Sequence, residues 1–391
     1  MRIKELPKEE YEKRVEKLQS LMKKNDLDLI ACYSSECESG VIRYFTGFWP
    51  FFDFASLLIP REGEPILLTG GPESADFAKV SSKIKNVDIN PLLVETSAPT
   101  EWIRKAESNN FSEILKKYKF TKNIKKIGVS NYNIFPNLLF KDLIEALPAA
   151  EVYNVDDLIL ELQSLKSEIE IPFIEEAYKI AQQSLIKAIQ SIKEGVAEYE
   201  IEAVARKEML ELGAEGTPYP AWVCSGNNTI LSLCRSTDKK INKNELIQLT
   251  IGSKYMGYCG NICRPVSLGK PKDNALRLMK IGVEASNYAI NKIKPGIQAS
   301  DVFKGYYEIL LKYNLEEFAL YGPAHGTGFS EVEGLWMSEN ANFIIKPNML
   351  FNVDIWLSDS TNGLRFEDGI LITENGIKML TSYKREVIIL E

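Results

Sequence analysis

Histidine is almost absent from this sequence of 391 residues, which contains only one, His325. A zinc site built from two or three imidazoles of one chain is therefore excluded, as is any mechanism that needs two histidines. Cysteine is also scarce, with six residues scattered along the chain. A chain of this length can bury a large core without disulfides, so we expect reduced thiols.

Two further features are missing, an excess of positive charge and a long apolar run. Lys and Arg number 47 against 54 Asp and Glu, a formal net charge of −7, so nucleic acid is not an expected partner. No apolar run approaches the roughly 18 residues needed to cross a bilayer, and the N-terminus is charged from its start. We therefore expect a cytoplasmic protein that binds neither nucleic acid nor a membrane.

The sequence does contain short apolar runs that alternate with amphipathic helical patterns, which is typical of α/β structure. We predict two domains, 1–160 and 165–391, because the pattern turns to long helix near residue 165. In the first domain, residues 9–24 predict a helix. The segment SLLIPREGEPILLT predicts a hairpin with Gly63 in its turn.

The second domain contains a weak internal repeat. Helical segments end at Gly195 and at Gly296, 101 positions apart, and each is followed by another helix, 198–212 and 300–313. Because β-rich sequence follows each helix pair, we predict two α/β halves related by a pseudo-two-fold axis.

A hairpin is predicted in ELIQLTIGSKYMGYCGNICRPVSLG. A two-residue turn at 255–256 would set Thr250 directly opposite Asn261, and facing residues of an antiparallel pair share one side of the sheet. The hairpin therefore predicts a polar pair on one face.

A second hairpin is predicted in MLFNVDIWLSDSTNGLRFEDGILIT, where a turn at 360–361 would set Asp354 opposite Glu367. His325 lies between the two hairpins in the glycine-rich stretch YGPAHGTGF, whose backbone freedom allows close approach to a ligand. We expect the two polar pairs and the histidine to form one site.

Several segments occur in order and at matching spacing, namely LKSEIE, EGVAEYEIE, SGNNT, GYCGNICR, GPAHGTG and GLRFEDGILITENG. Together they resemble the creatinase, prolidase and methionine aminopeptidase superfamily with its pita-bread fold. RYFTGF at 43–48 is similar to the smaller domain of the creatinase and prolidase branch. The resemblance implies an α/β (α+β) fold class, with a C-terminal pita-bread domain of two pseudo-two-fold α/β halves and a smaller N-terminal creatinase/prolidase-like α/β domain.

In the metallopeptidases of that superfamily, two metals are held by Asp, Asp, His, Glu and Glu. The resemblance places these ligands, in order, on Thr250, Asn261, His325, Asp354 and Glu367. Two of four carboxylates are thus replaced by neutral groups, and a pair of divalent ions would be poorly neutralised. We therefore expect no cofactor; if a single divalent metal binds, its ligands are His325, Asp354 and Glu367.

Two more departures concern histidines of the superfamily. The histidine that serves as the base in creatinase falls on Leu233, and a peptidase histidine beyond the GHG motif falls on Val332. The fold therefore transfers from the resemblance more safely than the activity does.

Roles for the remaining polar residues follow from the resemblance. The expected catalytic residues are His325, Glu367 and Asp354, and the expected substrate-binding residues are Asn261, Thr250, Arg365 and Arg264. His325 could instead be a hydrogen-bonded structural residue. Asp354 and Glu367 could be a remnant polar pair satisfied by water and Arg365, and the arginines could make ordinary ion pairs.

Two other groups of residues have open roles. Cys234 lies beside the lost histidine position and is either a nucleophile or a packing residue. An aromatic run is either a substrate-facing wall, a dimer contact or plain core, and comprises Tyr44, Phe45, Phe48, Trp49, Phe51, Phe52 and Phe54. In creatinase-like relatives the small domain reaches the partner's site, so the resemblance implies a homodimer.

The resemblance implies a creatinase-like or prolidase-like hydrolase that does not depend on a dinuclear metal centre. Its expected substrate is a small polar molecule, amidino, amide or dipeptide-like, in which a C–N bond is cleaved. Two alternatives stay open: an Xaa-Pro dipeptidase with an atypical mononuclear metal site, and a catalytically inactive pita-bread binding module.

Overall fold

Two β-sheets, one in each of two units of the chain, organise the protein. The structure is a computed structural model that describes residues 5–95, 109–120, 124–318 and 321–391. The units span Met1–Gln163 and Ser164–Glu391.

The first unit is built on a six-stranded mixed sheet. Its strands are β1 (Leu29–Ser34), β2 (Ala55–Pro60), β3 (Ile66–Thr69), β4 (Asn86–Ile89), β5 (Lys126–Ser130) and β6 (Glu151–Asn154). The order along the sheet is β4-β3-β2-β1-β5-β6. Its helices are α1 (Lys8–Lys24), α2 (Gly40–Thr46), α3 (Pro72–Ser81), α4 (Phe111–Lys117), α5 (Asn137–Ala146) and α6 (Asp156–Ser164). Strand β2 runs antiparallel to β1 and to β3, and the other neighbours are parallel.

Local sequence explains the first elements of this unit. Helix α1 buries residues that recur every three or four positions, Tyr11, Val15, Leu18 and Met22, which is the spacing of one helical face. Strands β2 and β3 form the predicted hairpin, and Gly63 in its loop has a φ of 104°, a conformation that glycine adopts without strain. Both predictions are confirmed.

The second unit contains an eight-stranded sheet. Its strands are β7 (Trp222–Ser225), β8 (Leu246–Tyr255), β9 (Tyr258–Leu268), β10 (Ala324–Gly326), β11 (Leu350–Ser358), β12 (Gly363–Thr373), β13 (Gly376–Met379) and β14 (Ile388–Leu390). The order along the sheet is β10-β11-β12-β9-β8-β7, with β13 paired to β12 and β14 paired to β9. Its helices are α7 (Ile171–Gln190), α8 (Glu198–Glu211), α9 (Asp273–Lys292) and α10 (Ala299–Tyr313).

The helices form two pairs, each with its own apolar core. Helices α7 and α8 pack with β7, β8 and β9, whereas α9 and α10 pack with β10, β11 and β12. Between the members of each pair lies a glycine in the left-handed region, Gly195 at φ 84° and Gly296 at φ 85°. The predicted fold class, with two pseudo-two-fold α/β halves and a smaller N-terminal α/β domain, is confirmed.

Side chains of the long strands alternate between the helices and a second buried face. On β8 and β9, Ile251 and Ile262 belong to the core under α7 and α8, so their neighbours Thr250 and Asn261 point to the opposite face. On β11 and β12, Ile355 and Phe366 belong to the core under α9 and α10. Polar residues therefore share the face that the helices leave uncovered.

The register of the β8–β9 hairpin differs from the prediction. Thr250 pairs with Cys263, and Asn261 pairs with Gly252. The central turn residues are Met256 and Gly257, at φ 50° and 92°, because a tight hairpin turn needs positive φ at both central positions and glycine takes the second without strain. The turn thus lies one residue later than predicted, and the pairing shifts by two residues, which keeps every side chain on its predicted face.

No helix among the described residues is long and apolar enough to span a membrane.

Candidate active site

One row of facing residues crosses five strands of the second unit. Trp222 on β7 faces Thr250, Thr250 faces Cys263, Cys263 faces Glu367, and Glu367 faces Asp354. The last pairing is the predicted register of the second hairpin, which is confirmed. Because facing residues lie side by side, the row brings both halves of the unit to one site.

His325 lies in β10 opposite Asn352, two residues along β11 from Asp354. Its Nδ1 contacts the carbonyl oxygen of Gly326 at 3.0 Å. A carbonyl only accepts, so Nδ1 is the donor in this contact. The ring packs on Trp336 with centroids 5.0 Å apart, and Nε2 lies 3.5 Å from Oε1 of Glu331.

Glu331 is a carboxylate of this site that the sequence interpretation missed. The amide nitrogen of Asn261 donates to its Oε1 at 3.3 Å. The loop that carries Glu331 is anchored by Glu333, which accepts hydrogen bonds from the Phe329 backbone and from buried Lys166. The carboxylate is thus held beside His325 by a structured loop. No periodic pattern in the sequence marks it.

Glu367 is buried in the middle of the row. The thiol of Cys263 donates to its Oε2 at 2.9 Å, and within the described residues its Oε1 has no hydrogen-bond partner. Burial raises the pKa of Glu367 well above its usual value, and the nearby charges of Asp354 and Glu331 raise it further. Burial likewise raises the pKa of Cys263, which therefore remains a neutral thiol.

Asp354 forms a buried ion pair with Arg365. Arg365 faces Trp356 and lies two residues from Glu367 on β12, so it shares the face of the row. Arg365 therefore neutralises Asp354, which stands where the superfamily has a longer glutamate. Pairing of Asp354 with Arg365 was one of the alternatives left open by the sequence.

Arg264 does not reach this site. It follows Cys263 directly on β9, so its side chain points to the other face of the sheet. There it is fully buried, with its Nη2 2.7 Å from Asp368, and it also donates to the Cys263 and Glu367 carbonyls. Its expected role in substrate binding does not fit this position, because the guanidinium is committed to Asp368.

A cavity of about 550 Å³ opens on the row, a size that suits a small molecule. Its lining residues are Tyr219, Pro220, Trp222, Leu233, Cys234, Arg235, Thr250, Glu331, Arg365 and Glu367. Of the residues expected from the sequence, Thr250, Arg365 and Glu367 line it directly. Asn261 and His325 do not line it but contact Glu331, and Asp354 does not line it but contacts Arg365. Tyr219 and Arg235 were missed, because neither belongs to a predicted hairpin.

The fold and this polar face define a pita-bread protein with a small-molecule cavity. Residues 173–374 match the model of metallopeptidase family M24, and residues 14–164 match that of the creatinase/prolidase N-terminal domain. The chain belongs to metallopeptidase family M24.

Similar proteins cover nearly the whole chain. A relative from Pyrococcus horikoshii named Xaa-Pro dipeptidase is 28% identical over 377 residues, which is 96% of this chain and 98% of the relative. The crystal structure of the prolidase from Pyrococcus horikoshii OT3 matches with a TM-score of 0.81 at 27% identity, over 96% of this chain and all of that one. The prolidase from Pyrococcus furiosus matches with a TM-score of 0.76 at 25% identity, over 94% and 99% of the two chains.

The expectation that this protein has no cofactor is wrong, because the family that matches is one of metallopeptidases. The charge of the residues at the ligand positions decides how many divalent ions the site can hold. Thr250 and Asn261 are neutral, and Asp354 is paired with Arg365, so the residues at the family's ligand positions do not fit a pair of divalent ions. They fit one ion better when Glu331 is included: in the described part of the chain, ligand atoms of His325, Glu331 and Glu367 lie within 4.8 Å of one another.

Proposed function

We propose that this protein hydrolyses a C–N bond in a small dipeptide-like molecule bound in the cavity over the row. The observation that carries the proposal is the convergence of one imidazole, His325, with two carboxylates that line the cavity, Glu331 and Glu367. The Xaa-Pro dipeptidase name of relatives along the full length of the chain supports a dipeptide over an amidino compound.

The cavity wall suits a substrate that has both a carboxylate and an apolar ring. Trp222, Pro220 and Leu233 supply apolar surface, and Arg235 is exposed at the same wall. The charge of Arg365 is already balanced by Asp354, so Arg235 is the cation that we assign to the substrate carboxylate. Its guanidinium can bind both carboxylate oxygens at once.

Two hydroxyl groups are placed to bind the oxygen of the scissile carbonyl. Within the described residues, the buried hydroxyls of Tyr219 and Thr250 have no hydrogen-bond partner, and both residues line the cavity. Burial raises the pKa of Tyr219 well above its usual value, so its hydroxyl stays protonated and can donate. Donors aimed at the carbonyl oxygen stabilise the negative charge that develops there during hydrolysis.

His325, Glu331 and Glu367 are the residues that would hold a divalent ion. Such an ion, when bound, supplies a polarised carbonyl and a bound water of lowered pKa. The hydrogen bond from Nδ1 to Gly326 fixes the histidine ring so that Nε2 faces the carboxylates. We propose that hydrolysis does not depend on a dinuclear centre, because Thr250 and Asn261 supply no charge to a second ion.

We also propose that the protein is a homodimer. Of the aromatic run in the first unit, Tyr44, Phe45 and Phe48 are buried core residues, whereas Phe51 and Phe52 are 61% and 72% exposed. Two adjacent exposed aromatic rings favour a protein contact. The cytoplasmic location stays a prediction.

The proposed activity can be tested with purified protein supplied with Mn²⁺, Zn²⁺ or Co²⁺. Xaa-Pro dipeptides, matched dipeptides without proline, guanidino compounds and cyclic amidines form the panel, and release of the free amino acid or amine is measured. We expect turnover of dipeptides and a loss of about 100-fold or more in His325→Ala, since this is the chain's one imidazole.

A matched pair of variants separates substrate binding from general damage. Arg235→Gln should raise KM for dipeptides with little effect on kcat, whereas Lys378→Gln, a change at an exposed cation elsewhere in the unit, should alter neither. No turnover of any compound in the panel would leave the inactive binding module as the better interpretation. Turnover limited to guanidino compounds would overturn the dipeptide assignment.

A further inference from the structure

Cys234, whose role the sequence leaves open, lies beside a second cysteine at the cavity. Cys224 is two residues after Trp222 on β7, and side chains two apart on a strand share one face. Trp222 belongs to the cavity wall, so Cys224 is on the face of the sheet at which the cavity opens. Cys234 lines the same cavity. Neither cysteine is in a disulfide.

Two hydrogen bonds, one on either side of Cys234, hold its loop against β7. The hydroxyl oxygen of Ser236 accepts from the backbone N–H of Val223 at 2.8 Å. The carbonyl oxygen of Ser232 accepts from Nη2 of Arg365 at 3.2 Å. The loop between these two anchors therefore runs along β7, next to the cysteine of that strand.

The two thiols interact directly, and they differ in access. Burial raises the pKa of Cys224 above its usual value, and its hydrogen bond with the Cys234 thiol raises that pKa further. Cys224 is 1% exposed, whereas Cys234 is half-buried and donates to the Arg235 carbonyl at 3.3 Å. The pair therefore has one sulfur that a reagent in the cavity can reach and a second sulfur buried beside it.

We propose that Cys224 and Cys234 form a redox modification site, in which a low-molecular-mass disulfide such as oxidised glutathione converts the two thiols into a reversible disulfide. The Cys234 sulfur attacks one sulfur of the reagent, and the first thiol leaves. Cys224 then attacks the Cys234 sulfur of this mixed disulfide, and the second thiol leaves. Each cysteine proton goes to one released thiol, so oxidation of the protein by two electrons is balanced by reduction of the reagent.

The second step is intramolecular, which offsets the small thiolate fraction of buried Cys224. The new bond also displaces the loop, because bonded sulfurs are only about 2 Å apart, much closer than two hydrogen-bonded thiols. Cys234 therefore moves towards β7, and its neighbour Arg235 moves with it.

The expected consequence for substrate binding rests on the proposed function, in which Arg235 binds the substrate carboxylate. Movement of Arg235 away from its position in the cavity wall should raise KM for dipeptides by about tenfold, the effect of losing one hydrogen bond to a charged group. The value of kcat should change little. Formation of the disulfide itself does not depend on that function.

The test uses the full chain, incubated with excess oxidised glutathione and a chelator in the absence of substrate. Remaining thiols are then blocked, and peptide mass spectrometry identifies the linked cysteines. We expect two peptides joined through Cys224 and Cys234, which dithiothreitol separates. KM is measured with added metal before oxidation, after oxidation and after reduction.

Two variants separate the steps. Cys224→Ala should stop at the mixed disulfide of Cys234 with glutathione, because the second thiol is missing. Cys234→Ser should form neither the mixed nor the internal disulfide at this site, and melting curves of the reduced variants check that both fold. Cys37→Ser is the matched control, because it removes an exposed thiol of the first unit and should form the internal disulfide like the wild type.

Absence of the Cys224–Cys234 linkage after prolonged incubation would overturn the proposed site. A linkage that leaves KM unchanged would overturn its effect on the cavity. Linkage in a protein that hydrolyses no dipeptide supports the site and removes the proposed function, whereas hydrolysis without linkage does the reverse. The two conclusions are therefore separable.

Discussion

The assignment of Arg264 to the structural face of the sheet can be tested by removing the charge of its partner in Asp368→Asn. Arg264 is 0% exposed and Asp368 2% exposed. Asp368 also accepts hydrogen bonds from Thr381 and Arg385. The substitution leaves a buried guanidinium without its counter-charge, which costs about 3–5 kcal/mol in the free energy of unfolding.

The lower end of that range is the better estimate, because Arg264 keeps its bonds to the carbonyl oxygens of Cys263, Glu367, Tyr383 and Lys384. For a unit of this size, about 3 kcal/mol corresponds to a fall of roughly 10 °C in the melting temperature. Thermal unfolding followed by circular dichroism measures the shift.

The control is Glu175→Gln, which breaks the exposed ion pair with Lys378. Exposed pairs contribute less than about 1 kcal/mol, so this variant should melt close to the wild type. If Asp368→Asn also melted close to the wild type but raised KM for a dipeptide, Arg264 would be facing the cavity, and the division of the sheet into two faces would be refuted.

Two further predictions concern packing. Gly369→Ala should destabilise the protein by about 1–3 kcal/mol in chemical denaturation, because a Cβ there would overlap the Tyr178 ring, whose hydroxyl bonds to Asn352; unaltered stability would contradict this close packing. Light scattering should give twice the 44.2 kDa chain mass at micromolar concentration, and Phe51→Ser with Phe52→Ser should shift the protein towards monomer. A wild-type monomer would rule out the dimer.

Most of what could be predicted about the site from the sequence came from the alternation of side chains between the two faces of a strand. The β11–β12 register was predictable because its polar turn lies symmetrically between two apolar strands. The β8–β9 register was missed by two residues, because the predicted turn at 255–256 leaves Gly257 outside the two central positions, whereas the backbone places Met256 and Gly257 there, both at positive φ. The same alternation could have excluded Arg264 from the site, because it is one residue from Cys263 and so lies on the other face. It could also have kept Arg365 in the site, because Arg365 is two residues from Glu367 and shares its face.

Glu331 lay beyond this reasoning, and the Arg365–Asp354 pair was only one of the alternatives that it left open. Glu331 comes from a loop whose path depends on the buried Lys166–Glu333 ion pair, a contact between residues 167 positions apart. No local pattern encodes such a contact. Pairing of Arg365 with Asp354 likewise depends on the side-chain conformation of Arg365 across two neighbouring strands, and the sequence does not determine that conformation.

The row of facing residues has a consequence for how the candidate site forms during folding. The β8–β9 and β11–β12 hairpins are local structures that can form early, whereas the contact between Cys263 and Glu367 joins residues 104 positions apart. Closing so long a loop is slow relative to hairpin formation. Because the candidate site exists only once the two halves have joined at this contact, a partly folded chain would have intact hairpins but not the site. A ligand of the finished site would bind native chains alone, and would favour the joined state in proportion to its affinity.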